Sequence, residues 1–170
     1  MIRLPGRRVR YALLVAGSAA ALLFAPAAPA SADSPAVDLN CEILITVDIH
    51  PGTTTELREI TATTNGFTGV ADCTGTVNGE QVTGTGTALV NTMGVSSCTE
   101  TNTSNHFVLK VPTASGIQTI PGNFTTTAFP VVLSGDLNGT VEFYSSPSEG
   151  DCFNTPLTQT TAELIGHISI

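Results

Sequence analysis

The sequence predicts an all-β, antiparallel domain of about eight strands, closed or nearly closed into a β-barrel, with a Greek-key sandwich as the alternative. Three observations carry this. Threonine makes up about a fifth of residues 33–170, glycine is frequent, and helix-forming charged residues are scarce. Apolar and polar residues alternate with a period of two in several runs. An Asn78-Gly79 dipeptide, the signature of a type I′ hairpin turn, separates two such runs.

The first strand places Cys41, Ile43, Ile45, Val47 and Ile49 on one face. Leu57–Thr64 is a weaker second strand. A two-residue turn at Asn78-Gly79 pairs Val77 with Glu80 and sets every pair behind it. Gly75 then faces Val82, Cys73 faces Gly84, Ala71 faces Gly86, Gly69 faces Ala88 and Phe67 faces Val90. That face is apolar or small. The opposite face collects Thr76 with Gln81, Thr74 with Thr83, Asp72 with Thr85 and Val70 with Thr87. A slip of one residue would mix the two sets, so turn and pattern agree independently. His106–Val111 reads as a short strand stopped by Pro112, and Ile117–Ala128 as one interrupted near Pro121-Gly122. Val131–Tyr144 reads as one long strand with Leu133, Gly135, Leu137, Gly139, Val141 and Phe143 on one face. Ser145–Pro156 is the longest loop. Leu157–Ile170 closes the sheet, with Ala162, Leu164, Gly166, Ile168 and Ile170 inward. Inward glycines at 69, 75, 84, 86, 135 and 139 would let strands coil and approach closely.

Residues 1–32 read as an export signal. Arg3, Arg7, Arg8 and Arg10 precede the apolar run Tyr11–Phe24, and Ala30-Ser31-Ala32 supplies the small residues of a cleavage site before Asp33. The run is short for a membrane anchor, and Pro26 and Pro29 follow it. Cys41 follows Asn40 and lies far from the apolar run, which disfavours lipid attachment. The organisation expected is therefore a signal peptide at 1–32, a flexible lead at 33–40 and a single β domain at 41–170. The protein is expected to be secreted and extracellular, with no membrane contact after cleavage.

Residues 33–170 hold two basic side chains, Arg58 and Lys110, against all fourteen acids, a net charge of about −12. Such a domain repels phosphate backbones, so no nucleic-acid partner is expected. Four cysteines in an exported chain read as two disulfides, and their spacing contains no C-x-x-C metal or redox motif. Cys41 and Cys73 lie on apolar strand faces, while Cys98 and Cys152 lie in polar segments. Like environments favour Cys41–Cys73 and Cys98–Cys152, with the other pairings open.

No constellation announces catalysis. His50, His106 and His167 are scattered and lack metal-ligand spacing. Gly94-Val95-Ser96-Ser97-Cys98 is not a nucleophile elbow. Asp136 and Glu142 share a strand face but stand too far apart for a carboxylate pair, and Glu149 and Asp151, with Asp136 and Asn138, lack the calcium-loop pattern. No catalytic residue, metal or cofactor is assigned. Thr74, Thr76, Thr83, Thr85 and Thr87 form a threonine-rich outer face, suited to an exposed strand.

Cys73-Thr74-Gly75-Thr76, the run Phe107–Thr113 (FVLKVPT), Gly150-Asp151-Cys152 and Pro156-Leu157-Thr158 resemble small exported Gly/Thr-rich β-proteins of high-GC Gram-positive bacteria. The resemblance implies secretion and a β-fold and carries no reaction with it. In composition the chain is also similar to the acidic enediyne apoproteins, but its widely spaced cysteines depart from their short-range disulfides, so their binding function is not carried over. The function expected is that of a non-enzymatic binding or extracellular surface/matrix protein, with a small apolar ligand or an extracellular protein as partner. Two alternatives stand beside it: a secreted hydrolase with a carboxylate site, and a protease inhibitor presenting the Ser145–Pro156 loop.

Overall fold

The computed structural model describes residues 36–64, 68–128 and 130–170, with the backbone alone at 145–148. The export segment, residues 33–35 and the expected Phe67–Val90 pair lie outside them. The described chain is all-β and antiparallel. Its strands are β1 (Val37–Thr53), β2 (Arg58–Thr63), β3 (Gly69–Val77), β4 (Glu80–Gln81), β5 (Gly86–Ser96), β6 (Thr101–Thr113), β7 (Gly116–Thr127), β8 (Val132–Gly135), β9 (Leu137–Glu149) and β10 (Leu157–Ser169). They form one sheet in the order β10-β9-β8-β7-β6-β5-β2-β1-β3-β4, and additional β10–β1 and β5–β3 pairings close it on itself. The result is a ring of eight strands, β1-β10-β9-β8-β7-β6-β5-β2.

The ring has two ends because β2 and β3 share one place. β1 and β5 are not neighbours; the gap between them is filled by β3 at one end and by β2 at the other. β3 pairs with Val37–Leu44 of β1 and Gly86–Ala88 of β5. β2 pairs with Asp48–His50 of β1 and Asn91–Ser96 of β5.

Alternation explains what fills the β3 end. Val37, Leu39, Cys41, Ile43 and Ile45 of β1 are buried, and Asp38, Asn40, Glu42 and Leu44 between them face solvent. β1 thus begins at Val37 and takes in residues 37–40 of the expected flexible lead. Leu39, Leu109, Val111, Ile120 and Ile168 meet behind it at 0% exposure and form the packed core with Phe107, Val77 and Leu137. Glycine permits the close approach of strands here. A Cβ on Gly69 would stand 2.1 Å from Ile45 Cγ2, and one on Gly122 would stand 2.3 Å from the Phe107 ring, its cross-strand partner.

Asn78 and Gly79 adopt φ of 54° and 80°, the left-handed pair that a type I′ turn demands. The register follows as expected: Val77↔Glu80 and Thr76↔Gln81 near the turn, Ala71↔Gly86, Val70↔Thr87 and Gly69↔Ala88 beyond it. Between these the ladder opens. Val82 bridges to Thr113, and the Thr83 amide donates to the Pro112 carbonyl (2.9 Å). Gly84, expected inward, is exposed as a result.

Four further boundaries differ from the sequence reading. β6 runs through Pro112, and β7 runs through Pro121. Counting alternate pairs from the Ala114-Ser115 turn, Pro112↔Ile117 and Val108↔Pro121 are pairs that exchange no backbone hydrogen bond, so neither strand loses a donor. The expected strand Val131–Tyr144 folds back at Asp136 into β8 and β9, with Gly135 at φ 135° and the Asp136 amide donating to the Asn123 carbonyl (2.9 Å). Ser145–Glu149 belongs to β9, so the last loop is 150–156 rather than 145–156.

Candidate functional site

At the β2 end the interior is hollow. A cavity of ≈ 320 Å³ lies inside the ring. Its floor is the edge of the packed core: Ile45, Val90, Phe124 and Leu164. Its sides are Val47, Ala62, Thr92, Thr103, Asn105, Thr126, Val141 and Ala162. Its far end is Ile49, Thr53, Ile60, Ser96, Ser97, Thr101, Phe143, Leu157, Thr160 and the cysteines Cys98 and Cys152. The lining, among the described residues, contains no charged side chain and no histidine.

The same strand faces that bury leucine and isoleucine at one end carry small and hydroxylated residues at the other. On β6 the inward series runs Val111, Leu109, Phe107 and then Asn105, Thr103, Thr101. Buried polar groups need partners, and the side-wall groups have them. Thr92 Oγ1 donates to Asn105 Oδ1 (2.7 Å), Asn105 Nδ2 donates to the Phe124 carbonyl (3.2 Å), and the Thr103 and Thr126 hydroxyls are hydrogen-bonded to each other. Ser96 and Ser97, from the segment weighed as a nucleophile, are occupied in the 97–100 turn, where the Ser97 hydroxyl accepts the Glu100 amide (3.0 Å) and the Ser97 amide donates to the Glu100 carbonyl (2.7 Å).

In the structure Cys41 is bonded to Cys73 and Cys98 to Cys152. The first joins directly opposed residues of β1 and β3 at the packed end, with Cα atoms 4.1 Å apart. The second ties the 97–100 turn to the 150–156 loop across the hollow end. Each closes a loop of some tens of residues, worth about 4 kcal/mol in the chain-entropy picture.

Access lies beside β9. β8 and β9 pair at Val132↔Thr140 and Leu133↔Gly139, and the Val141 amide reaches the Val131 carbonyl (3.2 Å). Beyond Val141, among the described residues, the ladder of β9 continues with β10 alone. Phe143 stands at this opening, lining the cavity while 54% exposed.

The titratable residues singled out from sequence lie outside the ring. His50 is exposed, and His167 pairs with Asp38 (2.8 Å) on the outer face. His106 and Asp136 meet in a shallow outer trough of ≈ 810 Å³, separated by Asn123. The Asn123 amide donates to Asp136 (2.8 Å), and its Oδ1 lies 3.2 Å from His106 Nδ1. Glu142 faces Glu163 across β9 and β10, away from Asp136. Glu163 accepts the Tyr144 hydroxyl, which holds the carboxyl below its ordinary value and pushes the phenol up to about 12. Its hydrogen bond to Glu42 raises that partner.

Glu149 accepts from Thr158 (3.4 Å). Asp151 holds the last loop by accepting the amides of Asn154 (2.7 Å) and Thr155 (2.9 Å) and the Asn154 side chain (2.6 Å), which keeps its carboxyl well below the usual range. The loop is a tight turn with Cys152 at φ 69°, not an extended segment. Among the described residues no group of three or more His, Cys, Asp or Glu is arranged to hold a metal ion. The threonine face is interrupted where Thr83 leaves the ladder of β3 for β6.

From sequence an apolar ligand is named as a partner, with no residues assigned to a cavity that would hold it. The cavity's signal is parity: extending the inward series back from Phe107 reaches Asn105, Thr103 and Thr101, polar residues where a solid core needs apolar ones. No protein-family model matches the chain, and comparisons with curated proteins and with solved structures yield no match.

Proposed function

We propose that the protein is an exported binding protein that holds a small uncharged apolar ligand inside its strand ring. The observation that carries this reading is the cavity at the β2 end, ≈ 320 Å³ in volume and, among the described residues, lined without a charged side chain. Ligand sites run from about 300 to 1,000 Å³ and are mostly apolar with a few placed polar groups. An ion would lose its hydration there with no counter-charge, a cost that far exceeds what apolar contacts return. The same argument weighs against hydrolysis inside the ring, because no acid, base or metal-binding group faces the space among the described residues. Export accords with the two disulfides and with the Arg-rich, apolar leader.

The test is titration of the purified mature protein with the neutral fluorescent probe N-phenyl-1-naphthylamine. Saturable 1:1 enhancement, lost when Ala62→Leu and Ala162→Leu together fill the space, is the expected result. A folded protein that gives no saturable signal refutes the reading.

A further inference from the structure

The hollow end carries a polarity gradient that specifies the ligand further. Its floor is hydrocarbon: Ile45, Val90, Phe124 and Leu164. The side-wall polar groups are spent on one another through the Thr92–Asn105 and Thr103–Thr126 hydrogen bonds. The end beneath the Cys98–Cys152 disulfide is different. Thr53 and Thr160 are each 5% exposed, line the cavity, and have hydroxyls without a hydrogen-bond partner among the described residues. Thr101 lines the same end with its hydroxyl in the same condition. None of these oxygens is sealed away, since no inaccessible side-chain N or O atom lacks a partner among the described residues. All three residues line the cavity.

Buried hydroxyls with unspent donors and acceptors are costly unless something in the cavity meets them. Two of them come from adjacent strands: Thr53 pairs with Leu157, and Thr160 pairs with Val47 three residues further along β10. They present donors and acceptors at the far end from the apolar floor, and no charged side chain lines the cavity among the described residues.

Resting on the binding reading above, we infer that the ligand is a neutral oxygenated hydrocarbon. Its apolar body occupies the floor of the cavity. A hydroxyl or carbonyl head lies beneath the Cys98–Cys152 disulfide against Thr53, Thr101 and Thr160. A carboxylate of the same skeleton binds more weakly, because the cavity lining, among the described residues, offers hydroxyls and no charged side chain.

The experiment compares naphthalene, 2-naphthol and 2-naphthoate on the mature, disulfide-intact protein by fluorescence or calorimetric titration. The expected order is 2-naphthol about 10-fold tighter than naphthalene, the return of one well-made hydrogen bond, with 2-naphthoate weakest. Thr160→Val, which keeps the shape and removes the hydroxyl, is expected to bring 2-naphthol to the naphthalene affinity and leave naphthalene unchanged. Thr53→Val supplies the same comparison if Thr160→Val fails to fold. Equal binding of naphthalene and 2-naphthol by the wild type overturns the head-group inference while the cavity reading stands. So does an unchanged preference in both variants. Binding of none of the three overturns the cavity reading itself.

Discussion

Filling the cavity is expected to stabilise the protein, and the same substitution in the packed half is expected to damage it. Ala62 and Ala71 are both buried alanines facing into the ring, at 4% and 0% exposure. Ala62 lines the hollow end, whereas Ala71 belongs to the solid core. Leucine adds three carbons at either site. In a cavity of ≈ 320 Å³ these carbons meet space. At about 0.8 kcal/mol per buried methylene the gain is ~2.4 kcal/mol, less about 0.5–1 kcal/mol for lost rotamer freedom. A net gain of about 1.5 kcal/mol remains. At Ala71 the same carbons meet packed side chains, and overpacking costs about 1–3 kcal/mol. Urea unfolding of the disulfide-intact protein reads the difference. With a slope on the order of 1.5 kcal/mol/M, the Ala62→Leu midpoint rises by about 1 M and the Ala71→Leu midpoint falls by a similar amount. Two falling midpoints of similar size would show that the β2 end is as tightly packed as the β3 end, and the argument for a ligand would go with it.

Three further outcomes follow from the same geometry. Replacing Cys41 and Cys73 by alanine is expected to cost about 4 kcal/mol and leave apolar-probe affinity intact, while replacing Cys98 and Cys152 costs a similar amount and also weakens probe binding; equal probe affinity in the two double variants contradicts the placing of the second disulfide over the cavity. Gly122→Ala sets a methyl against the Phe107 ring and is expected to lower the thermal midpoint by several degrees, with recovery when Phe107→Leu is added; additive losses in the double variant refute that contact. Asp151 is held below its ordinary pKa, so its contribution is complete above the usual carboxylate value and is lost as pH falls through the depressed one. Amide-exchange protection at Asn154 and Thr155, corrected for intrinsic rates, should therefore persist at pH 4 and be absent at neutral pH in Asp151→Ala; loss near pH 4 in the wild type contradicts the hydrogen-bond network.

The parts of this fold that were legible in the sequence are those where one physical cause acts alone. Strict alternation marks β1 from Val37 to Ile45, and the Asn78-Gly79 turn sets a register that holds as far back as Gly69↔Ala88. What was not legible involves positions where two causes give the same letters. Gly135 continues the inward parity of Leu133 and Leu137, so the pattern reads as one strand; its positive φ instead lets the chain fold back there. Pro112 and Pro121 read as breaks, but a proline interrupts a ladder at the hydrogen-bonded pairs alone, and parity within a hairpin not yet placed is unknown. The site was half legible. Inward polar residues at 101, 103 and 105 follow from parity, and Thr160 continues the inward series of Ala162 and Leu164 on β10; parity does not place Thr161, which is buried beside them where the pairing of β10 with β9 shifts between Gln159 and Thr161.

The two halves of the ring use the same strands for opposite ends, and residue size decides which is which. Toward β3, β6 contributes Phe107, Leu109 and Val111, β7 contributes Ile120, and β10 contributes Ile168; Gly69 and Gly86 let the walls close on them. Toward β2, β6 turns to Asn105, Thr103 and Thr101, β7 to Thr126 and β10 to Ala162 and Thr160, and the inward residues of β2 itself include Ala62. Short side chains leave the middle of the ring unfilled. A hollow of this kind costs stability, about 24 cal/mol per Å³ where a large side chain has been removed. A solid packed half and two disulfides stand in the same fold to offset such a loss. A domain built for stability alone would fill the second half as it fills the first. The hydroxyls of Thr53 and Thr160 sharpen the point, because valine fits the same shape without leaving an unpartnered oxygen. Missing volume and unspent hydroxyls meet in one cavity, and the proposed ligand would satisfy both.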